Sequence, residues 1–255
     1  MGSNWRGAFT LFRREFLRFF SVPNNTIFPQ LMTVFFYFLV FGIALGSRIK
    51  EVHGVPYLLF LLPGLFAQNL INGSYSNPSG SLFMSRTWGS IVDVLLAPIS
   101  YVQFILAFVV AGMLRGLFLG VGTVLLAMVF LPVHIFNWPV LILYVLLISF
   151  VFACAGILIG LWTKNWEQLN IFINFVVTPL TFLGGVFYTL DMVPTVVRVI
   201  TQFNPIFYMI NGTRYGMIGV QDGNVWLGAI FLAVVGAGLF WWVYSLVKRG
   251  YHLKS

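Results

Sequence analysis

Glu15, Glu51, Asp93, Glu167, Asp191 and Asp222 are the only carboxylates in this chain of 255 residues. General acid–base work or a proton relay needs such groups within reach of one another, and in a membrane it needs them at bilayer depth. All six map to expected loops or to the flanks of apolar runs. His53, His134 and His252 are scattered as widely, and with the single Cys154 they provide no spacing that would hold a metal. No Gly-x-x-x-x-Gly-Lys-Ser/Thr phosphate loop occurs, so the chain does not hydrolyse a nucleotide by that route alone. No base and nucleophile pair up inside an apolar run either. The expectation is a chain without catalytic residues, metal or cofactor of its own, whose energy comes from elsewhere.

The apolar runs do contain amides and hydroxyls at helical spacing. Asn69, Asn72 and Ser76 stand at i, i+3 and i+7 with Gln68 beside them, and Asn170, Asn174 and Thr178 stand at i, i+4 and i+8. Each set forms one row on a helix. Residues of this kind hydrogen-bond between helices in a membrane bundle, and the same rows would also serve as the polar wall of a substrate path. Arg115 is the one charge expected to lie deep, at close helix approaches marked by Gly112, Gly116, Gly120 and Gly122, where it would either pair structurally or bind substrate.

The elements that position these residues follow from composition. With 60% hydrophobic, 18% aromatic and only 8% charged residues, the chain has no soluble surface to offer, so it is a polytopic membrane protein. The formal net charge of +8 lies mostly beside apolar runs, which favours anionic lipid headgroups over nucleic acid as the counter-charge. Runs of about 20 residues, enough to cross a bilayer, fall near 27–46, 57–76, 103–131, 139–162, 169–188 and 225–247. The third is long enough to tilt, or to begin as an interfacial turn after Pro98. Placing the N-terminus inside puts nine of the fourteen basic residues in the cytoplasm: Arg6, Arg13, Arg14, Arg18, Arg86, Lys164, Lys248, Arg249 and Lys254. Arg48, Lys50, Arg198 and Arg214 fall outside, and an even number of spans returns the C-terminus to the cytoplasm.

Three further segments stand out. Trp5, Phe9, Phe12, Phe16 and Phe19 give residues 1–26 one aromatic helical face, with the arginines largely off it, as in an interfacial amphipathic helix. A cleaved signal peptide ending near Ala44-Leu45-Gly46 is the competing view, set against an apolar run longer than signal peptides carry. Residues 77–100 form a cytoplasmic connection with apolar Leu82, Phe83, Trp88, Ile91, Val92, Leu95 and Leu96, charged Arg86 and Asp93, and the makings of a short amphipathic helix. On the outer side, residues 189–224 are too apolar for a surface loop. Pro194 and the pair Asn204-Pro205 read as helix starts, and Gly184-Gly185 as the turn that leads to them. The expectation is two short helices that dip back into the outer leaflet as a re-entrant hairpin.

PGLFAQNLINGSYSNPSGSLFMSRTWGSIVDVLLAPIS (63–100), TPLTFLGGVFYTLDMVP (178–194) and FNPIFYMINGTRYG (203–216) resemble, in order and spacing, the permease subunit of type 2 ATP-binding-cassette exporters, the ABC-2 family. The similarity covers nearly the full length. It implies an all-α fold, one transmembrane domain over 1–255 with six spans, the N-terminal helix at the cytoplasmic interface and the outer hairpin. It also implies that 77–100 contains the coupling helix, with Arg86, Trp88 and Asp93 meeting a separate cytoplasmic ATPase that binds ATP and Mg. Two permease copies, expected as a homodimer in the bacterial inner membrane, would form the efflux pathway. That arrangement favours a lining role for Asn69, Asn72, Asn170, Asn174 and Thr178. The cargo of such exporters ranges from drugs to lipid-linked polysaccharides. An ATP-independent carrier and a purely structural membrane subunit are the alternatives, the former opposed by the lack of membrane carboxylates.

Overall fold

The computed structural model describes residues 5–21, 23–41 and 51–251. Ala44-Leu45-Gly46, Arg48, Lys50, His252 and Lys254 lie outside these described residues. The elements in chain order are α1 (Trp5–Phe20), α2 (Pro23–Thr26), α3 (Phe28–Val40), a minimal antiparallel pair β1 (Glu51–Val52) and β2 (Val55–Pro56), and α4 (Tyr57–Thr87). They continue with α5 (Ile91–Leu96), α6 (Tyr101–Ala127), α7 (Trp138–Trp162), α8 (Trp166–Ile171), a π-helical segment Phe172–Val177, α9 (Thr178–Leu183), α10 (Thr195–Phe203), α11 (Pro205–Ile218) and α12 (Val225–Arg249). Among the described residues α6, α7 and α12 are each long and apolar enough to cross a membrane, so the chain is an all-α polytopic membrane protein.

The centre of the bundle is α4, flanked by α6 and α7. Its closeness to both depends on small residues in the neighbours. A Cβ added to Gly116 of α6 would stand 2.0 Å from Ser74 Oγ, and one on Gly156 of α7 would stand 2.5 Å from the Tyr75 carbonyl oxygen. Only a missing side chain lets the backbones approach this far, which is how membrane helices gain packing without a solvent driving force.

The same packing corrects the expected end of the second span. The sequence reading closes it near residue 76 and assigns 77–100 to a connection, whereas α4 continues unbroken for 31 residues to Thr87. The polar residues 77–85 are not solvated loop. Asn77, Pro78, Ser79, Ser81, Leu82 and Phe83 are buried, and their small size fits them against α6 and α7. Pro78 occupies space opposite Gly112 and Gly156. The connection therefore narrows to residues 88–100, with α5 inside it. Next, α6 starts at a capping box, Gln103 N donating to Ser100 Oγ at 3.3 Å and Ser100 N to Gln103 Oε1 at 3.0 Å, so the third run begins two residues earlier than expected and ends at Ala127.

The N-terminal helix α1 lies lengthwise beside α6. Trp5, Phe9 and Phe12 share a groove with Leu106 and Val110 at one end, and Phe19 and Phe20 meet Phe118 edge-on at the other. Ala8, Leu11, Glu15 and Phe19 form its buried face, while Trp5 and Phe9 remain exposed. The fifth apolar run is not one regular helix. Pro179, which lacks an N–H and crowds the preceding turn, is the second residue of α9, just past the π-helical segment that joins α8 to α9.

At the other end of α4, Gly185 turns the chain with φ +86 and two short helices follow at the expected proline positions. Asn204 caps α11, its Oδ1 accepting from Ile206 N at 2.9 Å, with Pro205 at the first helical position. Gly212 and Gly216 seat α11 against Tyr144 and Leu141 of α7, and α11 is buried along most of its length.

Candidate functional site

On α4, nearly every side is covered. The half-open positions from its third turn onward include Gln68, Asn72, Ser76, Gly80 and Met84, one row at spacings of four. This row opens on a cleft of about 240 Å³ whose walls include Gln30 from α3, Asn72, Ser76 and Ser79 from α4, and Trp166 and Asn170 from α8. The Oε1 atom of Gln30 is buried without a partner, which leaves an acceptor at this wall. Tyr75 fixes the opposite wall, its hydroxyl donating to the Leu169 carbonyl at 3.0 Å. The arrangement offers amides and hydroxyls against an indole ring, a surface suited to a molecule with both polar and apolar parts.

The structure brings together only part of the two expected rows. Asn72 and Asn170 share the cleft, whereas Asn69 faces away from it, buried, with Nδ2 donating to Thr123 Oγ1 of α6 at 2.8 Å. The π-helical segment lies between Asn170 and Thr178 and contains Asn174; its wider winding shifts the faces of residues before and after it. Asn174 is exposed and Thr178 half-buried, both outside the cleft wall. Gln30 and Trp166 were missed by sequence reasoning. Gln30 carried a faint signal as the lone amide after Pro29 in an apolar run; Trp166 carried none.

At the far end of α4, Arg86 points inward. Its Nη1 donates to the carbonyls of Gly160 and Leu161 at 2.9 and 2.7 Å, and more weakly to Thr163 at 3.3 Å, so it closes the C-terminus of α7. Trp88, 73% exposed, follows immediately, and the short α5 turns Val92, Asp93 and Leu96 outward, with Leu96 79% exposed. Ile91 and Val94 anchor the other face. The connection thus exposes two large apolar side chains, Trp88 and Leu96, and one acid, while Arg86 is committed to internal bonds.

At the opposite end, Arg214 is the largest fully buried side chain among the described residues. It stacks over the Phe60 ring at 4.1 Å, donates through Nη1 to Asp222 Oδ2 at 2.7 Å, and donates through Nη2 to the Gly185 carbonyl. Burial pushes the Asp222 carboxyl above its ordinary range, with the Arg214 charge pulling the other way. Of the expected hairpin residues only Gly185 meets this pair; Asn204 and Pro205 lie at the other end of α11, where Asn204 Nδ2 donates to the Leu180 carbonyl and ties the hairpin to α9, and Gly184 packs against Ile210. Pro194 starts α10. The exposed Asp191 lies 3.6 Å from Arg198 and 3.9 Å from His53.

Arg115 is buried in α6 with its guanidinium 5.0 Å from the Phe19 ring centre. It is not the only deep charge, because Arg214 and Glu15 are buried too. Glu15, expected on a flank, is held by Arg14 at 2.9 Å and by the Ser81 hydroxyl. Among the described residues no cluster of His, Cys, Asp or Glu could hold a metal ion.

Residues 6–218 match the family model described as ABC-2 type transporter. The chain is 34% identical over 253 residues to the inner membrane transport permease YadH of Escherichia coli strain K12, covering 98% of each protein. It is 25% identical over 245 residues to nodulation protein J of Neorhizobium galegae, covering 91% of this chain and 88% of that one. With nodulation protein J of Rhizobium leguminosarum bv. viciae it shares 23% over 231 residues, 89% and 86% of the two chains.

Proposed function

The chain belongs to the ABC-2 type transporter family, and from that premise we propose that it is the membrane half-unit of an ATP-driven exporter in the bacterial inner membrane. Two copies form the pathway, and a separate cytoplasmic ATPase binds ATP and Mg and docks at the connection after α4. Six spans are formed by the run containing α3, by α4, α6 and α7, by α8 with α9, and by α12. The termini are cytoplasmic, α1 lies at the cytoplasmic side, and α10 with α11 dips into the outer leaflet. The cargo is amphipathic: a drug, a lipid or a lipid-linked glycan.

One piece of geometry supports this reading most directly. A single helix, α4, carries Asn72 and Ser76 on the cleft and ends at the connection that exposes Trp88 and Leu96. Nucleotide-driven closure of the ATPase pushes on that connection, and α4 carries the displacement to the cleft and the outer hairpin, switching the bundle between two packings. The chain has no phosphate-binding loop of its own, so in this reading the nucleotide energy comes from the partner.

Reconstitution with its ATPase tests the proposal. Cargo transport and stimulated ATP turnover are expected from the pair and neither from the chain alone. Trp88→Ala with Leu96→Ser should lower ATPase association at least tenfold while leaving the permease folded. Uphill cargo accumulation by the chain without an ATPase refutes the assignment.

A further inference from the structure

Beside the connection that follows α4 lies a second cleft, about 470 Å³, between α1 and the end of α4. Arg14, Leu17 and Arg18 of α1 face Ser85, Trp88 and Ser90 across it. Glu15 at its base is 1% exposed and saturated: Oε1 accepts from Arg14 at 2.9 and 3.2 Å, and Oε2 accepts from Ser81 and lies 3.6 Å from Arg18. Two guanidinium groups therefore meet one carboxylate, and a positive charge is left over. Behind the cleft lie further buried polar atoms. Arg18 reaches inward to the Asn77 carbonyl at 3.2 Å, and the Asn77 side chain, 1% exposed, has partners on neither its oxygen nor its nitrogen. The Nε atoms of Arg18 and of Arg115 are likewise buried without acceptors, and the Arg18 charge reaches Arg115.

A neutral or cationic ligand leaves the surplus charge of Arg14 and Arg18 unmet. A phosphodiester meets it: Arg14 still has Nη1 free beside the edge it gives to Glu15, Arg18 adds its charge, Ser85 lies on the facing wall, and Leu17 and Trp88 offer apolar walls to the glycerol and first acyl carbons. The exposed aromatic face of α1, Trp5 and Phe9, places lipid tails beside the same helix. We propose that this cleft binds the phosphate headgroup of an acidic phospholipid of the cytoplasmic leaflet, fastening α1 to the segment that docks the ATPase. The leaflet rests on the topology proposed above; binding by the isolated chain is read without ATP or ATPase, so failure here is separate from failure of that reading.

Native mass spectrometry of the purified full-length chain, loaded with equal phosphatidylglycerol and phosphatidylcholine, tests it. One phosphatidylglycerol per chain should be retained in preference to phosphatidylcholine. Arg14→Gln should lower that retention at least about tenfold, the loss expected for a charge-assisted bond. Ser90→Glu should do the same without touching the partners of Glu15, and Arg249→Gln, exposed at the end of α12, should change nothing. Equal retention of the two lipids overturns the proposal, as does a preference that survives both Arg14→Gln and Ser90→Glu. Displacement by millimolar inorganic phosphate as strong as by short-chain phosphatidylglycerol assigns the cleft to free phosphate and overturns the lipid. If lipid preference is absent while Arg14→Gln abolishes ATPase association, the cleft belongs to the ATPase instead.

Discussion

Arg214 and Asp222 are joined at 2.7 Å across the C-terminal turn of α11, with both side chains almost wholly buried. The chain turns between them through Gly219, at φ +75, which brings residues eight apart face to face. Asn211 steadies the acid from the other side, its Oδ1 accepting from Asp222 N at 2.7 Å. The pair therefore fixes the loop after α11, the Gly185 turn and α4 in one contact.

Breaking it should be costly. Asp222→Asn leaves a buried guanidinium without its counter-charge, and a loss of about 3–5 kcal/mol is expected. Resistance to denaturing detergent measures it. Arg214→Met with Asp222→Leu removes both charges together and should recover most of the loss; a double variant no better than the single would show that the cost is packing rather than charge.

The seam between α4 and α6 sets a second prediction. Gly116→Ala places a methyl within 2.7 Å of the Leu70 carbonyl oxygen as well as against Ser74, and backbone there must give way. The expected cost is about 1–3 kcal/mol. Gly238→Ala in α12 meets nothing within 4 Å and should stabilise by roughly 0.5–1 kcal/mol through helix propensity alone. Melting temperatures of the two variants should move in opposite directions.

Two amides three residues apart should behave differently. Asn69→Ala loses a buried bond to Thr123 and should cost about 0.6–2 kcal/mol in stability, with transport per folded molecule unchanged. Asn72→Leu borders the cleft and should leave stability nearly as it was while lowering transport severalfold. A transport assay normalised to folded protein separates them, and equal transport loss in both would remove the cleft from the pathway.

Arg86 carries a prediction about mistaken identity. Arg86→Ala frees the carbonyls at the end of α7 and should destabilise the chain itself by about 1.5–3 kcal/mol. Lower ATPase association in that variant would then accompany a lower melting temperature, whereas Trp88→Ala should weaken association with the melting temperature intact.

Helix placement was legible in the sequence wherever apolar length or a proline start spoke alone: α7, α12, and the starts of α10 and α11 fall within a residue or two of their expected positions. The extension of α4 was not, because Asn, Pro, Ser and Gly over 77–81 signal a loop locally, and only the glycines of α6 and α7, far away in sequence, turn that segment into packed helix. For the cleft, spacing put Asn72 and Asn170 each in a polar row but could not say that these two share a wall while Asn69 turns toward Thr123, since one residue's angular step decides which neighbour it meets. The π-helical segment was hidden too; its effect on the Asn170 row arises from backbone winding that side-chain periodicity assumes to be constant. The burial of Arg214 was hidden as well, because counting positive charges assigns a side of the membrane and takes no account of a partner eight residues downstream.

The half-covered row on α4 also bears on how such a chain can change over time. Gln68, Asn72, Ser76 and Gly80 sit where a new side chain displaces little, while almost every other position from 60 to 83 is wedged against a neighbour. Changes there can rewrite those few letters cheaply and leave the scaffold's folding free energy intact, so kindred permeases are expected to diverge there first.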